Sequence, residues 1–316
     1  MMAGLVAITG ASGFVGARIA QALARSGWRV RLLARRMPQA ALMPDHGIEV
    51  VLGDLDDRSS LERLVRGCEA IVHSAGLVRA LSAADFFAAN DIGTEHLLLA
   101  AARAAPAARL VHISSLAARA PELSPYAASK RAAEAKVAAL AGARDWIALR
   151  PPAVYGPGDL ELLPLFKAAK LGLVAYPAAP QARVSVLHVA DLAAAVVALL
   201  TAPIWEAQVV ALDDGHVGGH TWPDILAALG MAFGRRPLAC RLPRSVLLPI
   251  AGGASLIARL RNRPQVLSWH KVPELYHPDW AIDGPALSGM VNWVPRFDLA
   301  SGFAETVAWY RTQSLL

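Results

Sequence analysis

Tyr126 and Lys130 stand four residues apart, downstream of a Ser114-Ser115 pair. Ser124 is a good helix N-cap and Pro125 suits the first helical position, so a helix is predicted to start there. Residues i and i+4 then lie one above the other on one helix face. A phenol is a poor acid–base group at neutral pH, with an ordinary pKa of about 10. An ammonium beside it favours the phenolate and is expected to lower that value. A tyrosine tuned in this way gives or takes the proton of a carbonyl or alcohol while a serine hydroxyl orients the oxygen. A lone Tyr-Lys pair at this spacing is more often an ordinary helix face, so the chemistry needs support from elsewhere in the chain.

That support begins at the N-terminus. The apolar run Leu5 to Thr9 reads as a buried strand, and Gly10, Gly13 and Gly16 follow before a helix-compatible segment reaching Ser26-Gly27. A strand turning sharply into a helix leaves backbone N–H groups and the positive end of a dipole aimed at one spot, which suits a pyrophosphate. Glycines are required where a side chain would block the turn, the phosphate or the packing of helix on strand. Ser12, Phe14 and Val15 complete this predicted dinucleotide loop. A second strand, Trp28 to Ala34, ends in Arg35-Arg36, with no acid between Gly16 and Asp45. NAD sites usually place a carboxylate there for the ribose hydroxyls, whereas two guanidiniums suit a 2′-phosphate. The expected cofactor is therefore NADP rather than NAD.

Further strands are predicted at Ile48–Leu52, Ala70–His73 and Leu110–Ser114, alternating with helical segments. Such alternation indicates a parallel sheet with crossover helices, whose ligands sit outside the carboxyl ends of the strands. Asp54 and the Ser74-Ala75-Gly76 turn fall at those ends. Asp54 can accept from an adenine amino group or cap the next helix, and the small Ala75-Gly76 pair lets a dinucleotide lie close. Beyond Arg150 the alternation weakens, with helices predicted at Leu160–Leu173 and Thr221–Ala232 and strands at Val184–His188 and Gln208–Leu212. Prolines between Pro177 and Pro180, and glycines around Gly215, suggest crossings between lobes.

Taken together, the motifs resemble the extended short-chain dehydrogenase/reductase family, the NAD-dependent epimerase/dehydratase type, over nearly the whole length. The resemblance rests on Thr9 to Gly16, Asp54-Leu55, Asn90 to Thr94, Ser114-Ser115, Tyr126 to Lys130, Arg150 to Gly158 and His188 to Leu192. It implies an α/β fold: a Rossmann-like doubly wound parallel sheet with a smaller C-terminal α/β substrate domain. The dinucleotide domain would span 1–155, with a return segment near 183–212, and the substrate domain 156–182 and 213–316. It implies Tyr126 as acid/base, Lys130 as the group that tunes it and holds the nicotinamide ribose, and Ser115 rather than Ser114 as the serine. Asp54, Leu55, Pro152 and Val154 would border the cofactor, and Asn90 would be a structural or proton-relay asparagine, the structural role being favoured.

The family's sugar dehydratases carry an acidic pair after the catalytic hydroxyl residue, but here Leu116-Ala117-Ala118 follow Ser115, which counts against dehydration. Its nucleotide-sugar epimerases often show Arg-Asp-aromatic before the His-Val-x-Asp motif; Arg183-Val184-Ser185 departs from it, although Arg183, Arg261 or Arg263 remain phosphate candidates. The leading expectation is an NADP-dependent reductase or dehydrogenase of a carbonyl/alcohol small-molecule substrate, of fairly apolar character. An epimerase that retains its cofactor is the second, and a cofactor-binding regulator or assembly subunit without turnover the third. Retention of Ser115, Tyr126 and Lys130 argues against the third, since binding alone needs no acid/base.

With 316 residues, 55% of them hydrophobic and 18% charged, the chain is long enough for a large core. No basic leader precedes the first strand, and the longest apolar run, Ser245–Leu260, is interrupted by Pro249 and Gly252-Gly253, so a cytoplasmic protein without export signal or transmembrane segment is expected. Cys68 and Cys240 form no framework or metal pattern, and Asp213, Asp214, His216 and His220 read as a turn, so no metal is expected. The net charge is +6, and the segment His216–Leu275, with Arg235, Arg236, Arg241, Arg244, Arg259, Arg261, Arg263 and Lys271 against Asp224 and Glu274, accounts for all of it. A solvated face is the default reading; an anionic substrate or a weak membrane-surface contact are the functional ones, and no nucleic-acid motif accompanies the charge. Six tryptophans (205, 222, 269, 280, 293 and 309) are expected mostly in the core, with one or two lining a pocket. Ala-rich helices at Ala88–Ala105 and Ala127–Ala141 suggest a homodimer.

Overall fold

The computed structural model describes residues 4–38, 48–177, 179, 181–203, 206–263, 268–282 and 287–316. Trp205, expected in the core, lies outside them. A seven-stranded parallel sheet is built from β1 (Leu5–Thr9), β2 (Arg29–Ala34), β3 (Ile48–Leu52), β4 (Ala70–His73), β5 (Arg109–Ile113), β6 (Trp146–Arg150) and β11 (Gln208–Ala211). The spatial order is β3-β2-β1-β4-β5-β6-β11, so the direction of strand addition reverses beside β1. That reversal opens a crevice at the carboxyl ends of β1 and β4.

Both faces of the sheet are covered. On one side, α1 (Phe14–Arg25) and α7 (Val189–Thr201) bury Ile19, Leu23, Leu192, Val196 and Leu199 over Val6, Ile8 and Val72. On the other, α2 (Arg58–Val65), α4 (Gly93–Ala104) and α5 (Pro125–Leu140) cover Ala7, Ile71 and Leu110. Strands buried on both faces read as continuous apolar runs, which is why these were legible. A short α3 (Ala83–Phe87) runs through a π-helical turn, Ala88–Ile92, into α4.

A second cluster gathers Tyr155 from β7 (Ala153–Tyr155), Phe166 from α6 (Leu163–Leu171), Ile225 and Leu229 from α8 (Trp222–Phe233), and Phe303 and Tyr310 from α11 (Leu299–Thr312). Short ladders join β8 (Leu173–Pro177) to β13 (Leu238–Leu242), β10 (Val186–His188) to β7, and β9 (Arg183–Val184) to both β12 (His220–Thr221) and β14 (Asp279–Trp280). The helix predicted at Leu160–Leu173 is shorter than expected. Asp159 binds the N–H groups of Glu161 and Leu162 ahead of it, and left-handed Gly172 ends it. The single strand predicted at Val184–His188 is two, parted at Ser185, whose N–H bonds Trp280 and whose hydroxyl bonds Asp213. The apolar run from Ser245 forms one helix, α9 (Arg244–Leu260), which continues through Pro249 and the glycine pair because Leu247, Ala251 and Ala258 bury one common face. Among the described residues no helix is long and apolar enough to cross a membrane.

Glu134 of α5 is buried at 3% exposure, accepts from Ser114 Oγ at 2.6 Å, and receives Arg150 Nε at 2.7 Å and Nη2 at 2.5 Å. The fork-on-carboxylate geometry ties α5 to the ends of β5 and β6. Removing one partner of a buried pair strands the other charge and typically costs about 3–5 kcal/mol. Glu134→Ala is therefore expected to lower the unfolding free energy in urea by about 3 kcal/mol; a loss below about 1 kcal/mol would show that the pair does not fasten α5.

Candidate active site

The turn after β1 is built by contact between backbones. Gly10 has φ +77°, and a Cβ there would fall 2.5 Å from the Ala75 nitrogen. A Cβ on Gly16 would fall 2.2 Å from the Gly10 carbonyl oxygen. Gly13, whose N–H bonds Gly10 O at 3.0 Å, precedes α1 and makes no side-chain cap, so the first N–H groups of that helix remain open. Ser12 and Gly13 are exposed, Phe14 and Val15 half-buried. Phe14 lies under Gly158, and Arg18 Nη2 donates to Pro157 O at 2.8 Å, so the Arg150–Gly158 motif borders the same turn. Pro152 and Val154 are half-buried in it. An open helix N-terminus behind a glycine cradle fits a dinucleotide pyrophosphate.

Arg35 and Arg36 are exposed just past β2, at the same edge of the sheet. Asp54 is bound into its own turn, with Oδ1 accepting from Asp56 N at 2.9 Å and Asp57 N at 3.0 Å. It does not cap α2; Asp57 does, accepting from Ser59 and Ser60. Leu55 packs under Gly93. Ser74 and Ala75 are half-buried, and Gly76 is exposed, at the end of β4. Asn90 holds the following residue from both sides, accepting Leu77 N at 2.7 Å and donating to Leu77 O at 3.1 Å and Ser129 Oγ at 2.9 Å. That is the structural role expected of it.

Ser124 caps α5 through Ala127 N at 3.0 Å, with Pro125 at the first position, as predicted. The two serines after β5 divide clearly. Ser114 is buried on Glu134, whereas Ser115 is half-buried and its hydroxyl hydrogen-bonds Tyr126. The expected lowering of the Tyr126 pKa by Lys130 does not occur in this structure. Burial pushes the phenol up to about 12, and the Ser115 hydrogen bond offsets only part of that. Lys130 turns toward the sheet instead. Its Nζ donates to Ile113 O at 2.8 Å, and burial pushes it down to about 8 against the pull of Glu134. Its Nζ also lies 3.6 Å from where a Cβ on Gly76 would stand, so it faces the Gly76 turn.

Two residues beside Tyr126 were not singled out as site candidates. Lys271, just before α10 (Val272–Leu275), sits 5.2 Å over the Tyr126 ring, and buried Glu274 pairs with both Lys271 and Ser124 Oγ. A signal existed, since Glu274 is the first acid after Asp224 in an otherwise basic stretch. Next to this group opens a cleft of about 370 Å³, lined by Pro121, Leu123 and Pro125 on one side and Trp269, His270 and Pro273 on the other. The tryptophan expectation is corrected: of the described ones beyond residue 200, Trp293 is buried, Trp222, Trp280 and Trp309 are half-buried, and Trp269 is exposed along this cleft. Trp222 remains partly open because it stacks on Tyr176 at the surface, and Trp280 because its indole N–H reaches Glu274 O. Asp213, Asp214 and His220 are spent on loop contacts: Ser185 to Asp213, and His220 to Asp214 at 2.6 Å.

The chain matches the model of the NAD dependent epimerase/dehydratase family over residues 6–210. It is 41% identical to a ceramide reductase of Caulobacter vibrioides, across 99% of this chain and 96% of that protein. It is 32% identical to a 2-alkyl-3-oxoalkanoate reductase of Stenotrophomonas maltophilia, across 50% of this chain and 53% of that one. Among solved structures, a UDP-glucuronic acid 4-epimerase from Bacillus cereus in complex with NAD superposes with a TM-score of 0.73, covering 98% of this chain and 99% of that one at 16% identity, a likeness of fold.

Behind the site, His73 is pinned between Thr9 Oγ1 (2.6 Å) and Thr94 Oγ1 (2.9 Å), and burial pushes it down to about 3. His112, 5.2 Å away ring to ring, is buried with neither ring nitrogen hydrogen-bonded, and burial followed by the Lys130 charge lowers it too. Both folded values lie below the unfolded value of about 6.5, so the native state holds them neutral while the unfolded chain takes up protons. Their stabilisation is present above pH 6.5 and is lost as pH falls toward the folded values. The unfolding free energy should drop between pH 7 and 5 by about 2 kcal/mol for His73, with His112 adding to the fall in the same direction and the slope easing in His112→Phe; a flat urea-midpoint profile over that range would contradict the assignment.

Proposed function

The chain belongs to the NAD-dependent epimerase/dehydratase family, as an NAD(P)-dependent oxidoreductase of the extended short-chain dehydrogenase/reductase type, and we propose that it reduces a ketone on an apolar lipid using NADPH. The observation that carries this reading is the Ser115–Tyr126 hydroxyl pair, with its phenol protonated at neutral pH, near a cleft walled by prolines, Leu123 and Trp269 together with Glu122, Ser124 and His270. The full-length similarity to a ceramide reductase supports a substrate of ceramide type, a carbonyl flanked by long alkyl chains. Residues 156–182 and 213–316 would hold that substrate against a cofactor domain of 1–155 and 183–212. A homodimer through α4 and α5 is part of the proposal, with Ile92 and Leu99 exposed at that face.

Reduced nicotinamide supplies the hydride when bound. Gly10, Gly13 and the open start of α1 would hold its pyrophosphate, and Arg35 and Arg36 its 2′-phosphate. Ser115 orients the carbonyl oxygen, and Tyr126 delivers the proton that completes the alcohol. Lys130, fixed on Ile113 O and facing Gly76, would bind the cofactor's ribose hydroxyls.

Tyr126→Phe should lower kcat for reduction by about 10²–10⁴-fold while NADPH binding, read by nucleotide fluorescence, changes less than about twofold. Retained turnover would remove Tyr126 from the mechanism. A panel pairing long-chain ketones with UDP-sugars tests the reaction itself, since isomerisation of a sugar without net NADPH consumption would mark an epimerase. Arg35→Ser with Arg36→Ser should weaken NADPH binding by about tenfold or more and leave NADH nearly unchanged; an equal effect on both would dismiss the 2′-phosphate assignment.

A further inference from the structure

The face of α9 that points away from the protein is apolar along its whole length. Leu247, Ala251 and Ala258 pack inward, while Val246, Ile250, Ile257 and Leu260 are 44 to 78% exposed, spaced with Gly253 at four, three, four and three residues. That spacing puts them in one stripe down the helix. Arginines surround the stripe: Arg241 and Arg244 at its start, Arg259, Arg261 and Arg263 at its end, all exposed. No acid occurs anywhere between Asp224 and Glu274. The helix is also joined to the cleft next to the Tyr126 group, because Trp269 N donates to Ser255 Oγ of α9 at 3.1 Å, and the half-exposed Trp269 ring forms one wall of that cleft.

A second copy of this chain is a poor occupant for such a face. Packing two stripes together would bring two acid-free arginine sets side by side, and like charges so placed repel. A polyanion alone would satisfy the arginines and leave the stripe in water. A bilayer with anionic headgroups answers both features, since apolar side chains enter the acyl boundary while arginines meet phosphates at the same depth. Tryptophan favours that same interfacial layer.

We propose that α9 lies in the surface of an anionic membrane, placing the Trp269 edge of the cleft against the lipid. If the lipid-ketone reading above is right, the docked helix positions the cleft mouth where the substrate resides; the docking itself does not depend on that reading.

The test uses the full-length protein and Ile250→Glu/Ile257→Glu, with matched thermal melts to confirm folding, in flotation assays on two kinds of vesicle. One is phosphatidylcholine with about one-third phosphatidylglycerol, where the basic arginine set gives electrostatic attraction; the other is phosphatidylcholine alone. Wild type is expected to float with the anionic vesicles at least about tenfold more than with the neutral ones, less so at high salt, and the double variant to lose that binding. Arg244→Glu/Arg259→Glu should lose it as well. Absence of wild-type flotation, equal flotation of the Ile250→Glu/Ile257→Glu variant, or a wild-type oligomer that this variant dissociates would each overturn the proposal. NADPH oxidation with a short, water-soluble ketone is measured on the same preparations. It should be equal in wild type and both variants, and its absence in all three would count against the reductase reading while leaving the flotation result to judge the docking.

Discussion

The candidate active site depends on the polar inner face of α5. A helix packed on a sheet ordinarily turns an apolar stripe inward, but this one buries Ser129, Lys130 and Glu134 among Ala127, Ala133 and Val137. Each polar group has its partner. Glu134 takes the Arg150 fork and Ser114, Lys130 takes the Ile113 carbonyl, and Ser129 takes Asn90 and the Tyr126 carbonyl. A fully satisfied network in a low dielectric tolerates little displacement, because every shift strands a donor or a charge. The rotation of α5 is set in this way, and with it the placement of Tyr126 against Ser115.

The same network explains what the sequence discloses and what it hides. The central strands β1 and β4 are buried along their whole length and announce themselves; the glycine turn does so because backbone contacts at Gly10 and Gly16 leave no room for a Cβ. Tyr126 and Lys130 are legible as candidates from residue type and spacing, and Ser115 only through the family resemblance. Glu134 does not, since an acid on an Ala-rich helix reads as solvated until Arg150, sixteen residues on, is seen beside it. Lys271 and Glu274 are hidden for a related reason: their partner Tyr126 is remote in sequence, and no local period marks them. The short ladders of the C-terminal part escape for want of length, two or three residues carrying no alternation to read.

Local patterns also mislead where a long-range contact decides. Pro249 and Gly252-Gly253 look like helix breaks, yet α9 continues because its buried face is anchored on Val272 and its neighbours. Asp54 looks like a helix cap, yet its carboxylate closes a turn three residues earlier and leaves the capping to Asp57. In both cases the residue keeps its intrinsic preference, and the surroundings choose among the conformations that preference allows.

Burial moves the two central ionisable groups in opposite directions, the phenol up to about 12 and the ammonium down to about 8, so both are drawn toward their neutral forms. For the proposed reaction this bears on direction. A ketone needs a proton at the moment hydride arrives, and a phenol held protonated is ready to give one. Oxidation of the alcohol would first require the phenolate, which burial opposes and the Ser115 hydrogen bond only partly favours. In the proposed reduction, the desolvation that encloses Tyr126 also holds its phenol protonated.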